Sequence, residues 1–342
     1  MNTTIVQQSE HALTHQSIGQ SANEAASKAA FSLYRLEKSA NTQKAQKRAL
    51  NHFAGFLSSS GMTITADQLW GEPATWASIT WGLVEAHKLA SLNDGASVAS
   101  INQRLSTIKT YARLAHQAGF IEDGEALRIR SVRGFHGAKV KRNIKANTQV
   151  SKDTKPKKNT NTLTSSEVKE LASVLVTDQT ARGKRDRLLF HVLFEHGLRS
   201  SEVLLLDRNS FRGACLVFDR PKVGLTDCTH FTRPQTQEAY KAYLEEIGNE
   251  GPFWQSTRKN GRLTGRKLGR SALDRAIRRW GELIGIKNLS THDARHTVAT
   301  KLAQDGMSAT KLLDYFGWSS LGTAQRYVDR AKVGNEGVGA IW

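Results

Sequence analysis

Residues His292, Arg295 and His296 gather within ten positions, THDARHTVAT (291–300), at the front of what Val298, Ala299 and Leu302 mark as an amphipathic helix. Arg is costly to bury without a partner, so this guanidinium asks for an anion that the segment does not supply. Four further pieces carry candidate chemistry: HGLRSSE with Arg199 and Glu202, RPKVG with Lys222, FGWSS with Trp318, and AQRYVD with Tyr327. Two guanidiniums, Arg199 and Arg295, could each fork onto the non-bridging oxygens of a phosphodiester, a geometry lysine does not copy. A tyrosine hydroxyl, with a pKa near 10, attacks poorly until its proton is removed or its developing charge is stabilised. Tyr327 is the expected nucleophile, because Tyr315 sits within KLLDYFG at helical spacing and reads as core. His292 is the candidate to accept or position the tyrosine proton, and Glu202 to orient a guanidinium or His292. Trp318 offers one indole N–H to a phosphate oxygen. His292 and His296 have H-x-x-x-H spacing, but Asp293 replaces the glutamate of H-E-x-x-H and no third ligand follows, so no metal is expected. His296 reads as structural.

The elements that must position these groups fall into two blocks. The chain has 342 residues, enough for two domains each with a core. With 49 Lys+Arg against 31 Asp+Glu, the formal charge is +18, which favours nucleic acid as partner and places an anionic membrane surface second. No apolar run approaches the ~20 residues of a spanning helix, and the polar start MNTTIVQQSEHALTHQS lacks the features of a secretory signal. Residues 1–22 are expected to be a disordered leader. The two cysteines, Cys215 and Cys228, are too few for a disulfide framework and read as half-buried thiols of a reducing cytosol.

From 23 to 130 the pattern predicts helices. Leu50, Phe53 and Leu57 share one face, Trp70, Trp76 and Trp81 read as core, and Ile101, Leu105, Ile108 and Ala112 form the apolar stripe of another helix. Off that stripe lie Gln103, Lys109 and Arg113, a front suited to a major groove and equally to plain solvent. Residues 131–161 read as a basic linker; Lys139, Lys141 and Arg142 could lie along phosphates. A second block, 162–330, opens with Thr164 and Glu167 as a capping box. Helices broken at Gly197 follow, then a short antiparallel sheet turning around Pro221 to Gly224, then more helices, with Ser308 capping one. The tail, 331–342, ends in the apolar pair Ile341 and Trp342. The fold class expected is mainly α with a small antiparallel β-sheet.

Taken together, GLRSSEVLLL, RPKVG, THDARHTVAT and DGMSATKLLDYFGWSSLGTAQRYV resemble, in order and spacing, the boxes of the tyrosine recombinases, or phage integrase family. SVASINQRLSTIKTYARLAHQAG is similar to the last long helix of that family's core-binding domain. The resemblance implies a helical core-binding domain and a mixed α/β catalytic domain on opposite faces of a DNA duplex. It implies Lys222 as general acid toward the leaving 5′-oxygen, with Arg199, Glu202, His292, Arg295, Trp318 and Tyr327 completing the site. Trp318 departs from the commoner histidine there, which removes an acid–base role from that position. The implied reaction is site-specific strand exchange through a 3′-phosphotyrosyl intermediate, without ATP or metal; no G-x-x-x-x-G-K-[ST] loop is present. The implied partners are double-stranded DNA carrying a specific site and three other copies in a tetramer on two such sites, with room for accessory proteins, in a cytoplasmic, nucleoid-associated setting. A type IB topoisomerase-like or telomere-resolving enzyme and a catalytically silent DNA-binding protein are the alternatives. Many phosphate contacts, and so a steep salt dependence, are expected.

Overall fold

The computed structural model describes residues 3–136 and 161–331, and the chain divides into two compact units, Met1–Lys157 and Lys158–Trp342. Lys139, Lys141, Arg142 and the tail beyond Ala331 lie outside the described residues.

Among the described residues, six α-helices build the first unit: α1 (Thr3–Leu36), α2 (Ala40–Ser59), α3 (Ala66–Gly71), α4 (Trp81–Asn93), α5 (Val98–Gln117) and α6 (Asp123–Ser131). Ser39, Thr65, Thr80 and Ser97 each accept a backbone N–H two or three residues into a helix, supplying acceptors that a helix start lacks. The apolar faces read from the sequence meet: Leu50, Phe53 and Leu57 of α2 pack with Leu105, Ile108 and Ala112 of α5. Trp76 is fully buried there and donates its indole N–H to the Leu69 carbonyl at 3.0 Å. Trp70 stacks on Tyr111, whereas Trp81 is exposed.

Two expectations need correction. The polar leader is not a separate disordered segment, because α1 runs back to Thr3. No proline occurs before Pro73, so nothing blocks a helix anchored by Phe31 from propagating toward its N-terminus. The linker also begins later than 131. Arg128 and Arg130 belong to α6, Ile129 and Val132 are buried, and Asn102 of α5 holds both the N–H and the carbonyl of Phe135.

In the second unit, α7 (Ser165–Thr177) starts with the Thr164/Glu167 capping box. Helix α8 (Ala181–His196) stops at Gly197, and a single turn, α9 (Ser200–Val203), follows. Strands β1 (Phe211–Arg212), β2 (Cys215–Arg220) and β3 (Leu225–Phe231) form an antiparallel sheet in that order. After α10 (Pro234–Ile247), strands β4 (Gln255–Thr257) and β5 (Leu263–Lys267) make a separate hairpin that sequence reading missed. Helices α11 (Arg270–Leu283), α12 (Thr291–Gln304), α13 (Ala309–Phe316) and α14 (Leu321–Ala331) complete the unit. One core joins α7, α8, the sheet, α10 and α11; a smaller one, with Val298, Leu312, Phe316 and Ala324, joins α12, α13 and α14. The architecture is mainly helical with small antiparallel sheets, as expected. No described helix is long and apolar enough to cross a membrane.

Candidate active site

The site forms where α8, β2, α12 and α13 come together at their ends. Helix α13 stops at Gly317, whose φ of 55° is the left-handed conformation that glycine adopts without strain. A helix C-terminus leaves carbonyls without intrahelical donors and carries partial negative charge. Three arginines answer it. Arg220 donates to the carbonyls of Asp314 (3.4 Å) and Tyr315 (2.5 Å), Arg295 to that of Phe316 (2.6 Å), and Arg199 to that of Gly317 (3.3 Å). A Cβ at 317 would lie 2.6 Å from Arg220 Nη1, so the close approach also requires glycine.

Arg295 enters from the first turns of α12, and its second Nη donates to the Gly197 carbonyl at 2.8 Å, at the end of α8. The guanidinium is buried and lies 4.8 Å from the ring centre of Phe316 and 5.7 Å from that of Trp318. An external anion was expected as its partner, and the chain itself supplies acceptors as well. Helix-end carbonyls and aromatic faces hold it, which is how a buried cation is tolerated without a full ion pair. Burial, then Arg199 and Arg220, push its pKa down to about 9 against the opposing pull of Glu202 and Tyr327.

Arg199 caps α9, and Glu202, on the same turn, takes both its backbone N–H (2.8 Å) and its Nη1 (2.6 Å). The second oxygen of Glu202 lies 3.8 Å from Arg295. At 1 % exposure Glu202 is no surface partner, and it spans both guanidiniums, the contacts that an orienting role would use. Arg220, absent from the expected set, is the third cation. Along β2, Leu216, Phe218 and Arg220 alternate onto the buried face, and that period of two was legible in the sequence. Three guanidiniums thus face one carboxylate, a surplus of positive charge suited to an anionic ester.

Lys222 sits apart from Arg220, exposed on the turn between β2 and β3, where it lines an open cleft with Ser201, Glu202 and Lys267. Trp318 does not offer its N–H to any described group; its ring stacks at 4.7 Å on Phe316 and at 5.2 Å, nearly parallel, on Tyr327. Tyr327 projects from α14, a helix the sequence reading did not delineate. Burial raises its pKa, while Arg295, Arg330 and Arg326 pull the other way. Its hydroxyl bonds to Nδ1 of His296, not to His292. His292 is exposed, with its ring edge-on to His296 at 4.4 Å. His296, expected to be structural, is the residue that meets the Tyr327 hydroxyl. Tyr315 is committed elsewhere: its hydroxyl donates to the Glu195 carbonyl at 3.0 Å.

On the first unit, Gln103 and Arg113 are exposed, bonded only to Thr107 and Gln117 along the same helix. Lys109 is half-buried and spends its ammonium on the Arg130 carbonyl at 2.8 Å. Sequence reading missed a more open basic surface. Arg258, Lys259, Arg262, Arg266, Lys267 and Arg270, on and beside the β4–β5 hairpin, are all exposed, with no ion pair among the described residues.

Comparison with known proteins identifies a family. The phage integrase family matches residues 161–333. The chain is 30% identical over 237 residues to the tyrosine recombinase XerA of Pyrococcus furiosus, covering 68% of this chain and 70% of that one. To the tyrosine recombinase XerC of Rhodospirillum centenum it is 33% identical over 153 residues, 43% of each chain. Its fold is similar to that of the Tn1549 transposon integrase in complex with transposon right end DNA (TM-score 0.57, 16% identity, 89% of this chain and 97% of that one). The same holds for a lambda integrase tetramer bound to a Holliday junction (TM-score 0.52, 15% identity, 75% and 66% covered). A family match spanning half the chain, over the segment that gathers the arginines and Tyr327, places this protein in the phage integrase family, the tyrosine recombinases.

Proposed function

We propose that the protein is a site-specific DNA recombinase that cuts and rejoins strands through a 3′-phosphotyrosyl intermediate on Tyr327. The observation that carries this reading is the surplus of guanidinium around α13, with Tyr327 stacked on Trp318 beside Arg295. A scissile phosphate seated between Arg199 and Arg295 would have both non-bridging oxygens met by cations held in advance by Glu202 and the carbonyls of Gly197, Phe316 and Gly317. Such preorganised charge stabilises the transition state without reorganisation at the moment of reaction.

In the step itself, the Tyr327 oxygen forms a bond to phosphorus as the bond to the 5′-oxygen breaks. The phenol proton passes to a base, for which His292 is the candidate, and Lys222 protonates the departing 5′-oxygen. A 5′-hydroxyl from another strand reverses the exchange. One phosphoester replaces another, so no external energy source is needed. Tyr327 lies against its own chain's Trp318 and His296, which supports attack within one subunit. The partner is duplex DNA carrying a defined site, gripped through phosphates by the basic hairpin around Arg262 and by the first unit. The lambda integrase neighbour is a tetramer on a Holliday junction, and the same assembly on two sites suits strand exchange here. The hairpin belongs to the second unit and α5 to the first, so both units would meet the duplex.

A duplex nicked beside the cleavage point would trap the covalent adduct, because the short 5′ fragment diffuses away. The expected result is a protein–DNA adduct with the wild-type chain and none with Tyr327→Phe. Adduct with the Phe variant would show that another residue is the nucleophile. Relaxation of random supercoiled DNA without strand exchange would instead favour a topoisomerase-like activity.

A further inference from the structure

Helix α14 is lightly anchored. Ala324 is its one fully buried residue, with Tyr327, Val328 and Ala331 packing partly against α12 and α13. A nucleophile on such a helix needs something more directional than apolar contact to hold its oxygen in place. Trp318 fixes the plane of the Tyr327 ring by parallel stacking but leaves rotation and sliding within that plane free. The hydroxyl is pinned by Nδ1 of His296, the residue next to Arg295 on α12. One helix therefore carries both the phosphate-facing cation and the acceptor for the attacking oxygen.

We propose that His296 is the positioning residue of the nucleophile, its Nδ1 accepting the Tyr327 hydroxyl and holding the phenol in register with Arg295. This deepens the recombinase reading and rests on it. The groups facing the imidazole support acceptance over donation. Burial, His292 and Arg295 on its own helix, and Arg330 from α14 hold its pKa at about 4, with only Asp293 opposing. At neutral pH the ring is uncharged, so its Nδ1 lone pair is available once Nε2 carries the proton. With the phenol pKa raised, the proton rests on Tyr327 until the oxygen begins to bond to phosphorus. His296 accordingly orients the resting nucleophile. The signal in the sequence was its place directly after Arg295, ahead of the tyrosine box, which spacing alone could not connect to residue 327.

The test is single-turnover adduct formation on the nicked duplex, measured with DNA affinity and thermal unfolding, for wild type, His296→Phe and His296→Asn. Phe keeps the ring and removes the acceptor; Asn places an amide oxygen close to where Nδ1 stood. We expect His296→Phe to cleave about 10- to 100-fold more slowly, as a misplaced attacking atom does, with affinity unchanged within about twofold. His296→Asn should recover most of the rate. If His296→Phe cleaves at the wild-type rate, or if Asn fails to rescue a folded protein that still binds DNA, the proposal is overturned. Should the Phe variant not fold, His296→Ala replaces it as the acceptor-free arm, with the same expectations. Wild-type adduct and its loss in Tyr327→Phe judge the recombinase reading separately, whatever His296 does.

Discussion

The two units treat buried polarity differently. Among described residues, the first buries Gln46, His87, Ser91 and Thr107 but no charged side chain, and its centre is Trp76, Tyr111 and leucines. The second buries Arg185, Asp186, Glu202, Arg220, Asp293 and Arg295. Within it, two ionic clusters differ again. Asp186 is met by Arg185 (2.6 Å), by Arg279 and by the indole of Trp280 (3.1 Å), so its lone pairs are spent on neighbours. Around α13, one carboxylate serves three guanidiniums. Buried charge is costly unless paired, and an incompletely neutralised set is what a site for an anion requires. The first unit holds itself together; the second keeps an electrostatic imbalance in its interior.

The sharpest break of this contrast is a like-for-like change in each unit. Arg295→Lys should slow adduct formation about 100- to 1,000-fold, because an ammonium cannot fork onto two oxygens. Arg104→Lys, at a half-buried arginine of the first unit bonded to Ser91 and His52, should stay within a few-fold. Equal losses would show that the second unit's arginines are structural only.

A smaller effect is expected at the glycines. Gly119 and Gly317 both have positive φ, but a Cβ at 119 meets nothing, whereas at 317 it strikes Arg220. Gly119→Ala should cost about 1 kcal/mol for its backbone, and Gly317→Ala about 2 kcal/mol more for the clash. Urea unfolding measures both, and equal costs would deny the tight Arg220 contact.

The smallest difference should appear on acidification. Burial lowers His191 and His230 to about 4 and His196 to about 3 in the second unit, against His87 at about 4 in the first. For a group whose folded pKa lies below 6.5, the unfolded chain binds the proton first, so stability falls as pH drops from 6.5 toward 4. Taken relative to the free-peptide rate at each pH, hydrogen exchange of α8 should therefore accelerate more than that of α4 between pH 7 and 5. Parallel acceleration would mean that the two interiors titrate alike.

Much of this was legible in the residues because its physics is local. Thr164 with Glu167, Ser308 before α13, Gly197 after α8 and the turn at Pro221 to Gly224 act within a few positions, and each stands where its chemistry predicts. The apolar stripes of α2 and α5 marked the first core for the same reason. Arg199, Glu202, Arg295, Trp318 and Tyr327 were picked out by type and spacing, and the second unit gathers them. Lys222 was correctly set on the turn, yet the buried neighbour Arg220 was passed over because the turn drew attention away from the strand's alternation.

Composition and periodicity by themselves determined a basic, mainly helical chain with two blocks and a cluster of phosphate-competent side chains in the second. Only tertiary structure decided which partners those side chains have. Arg199 meets the Gly317 carbonyl across 118 positions, Arg295 meets Gly197 across 98, and His296 reaches Tyr327 across 31. Such pairings depend on where helix ends converge in space, and a helix end displays its free carbonyls to whatever packs there, not to its neighbours in sequence.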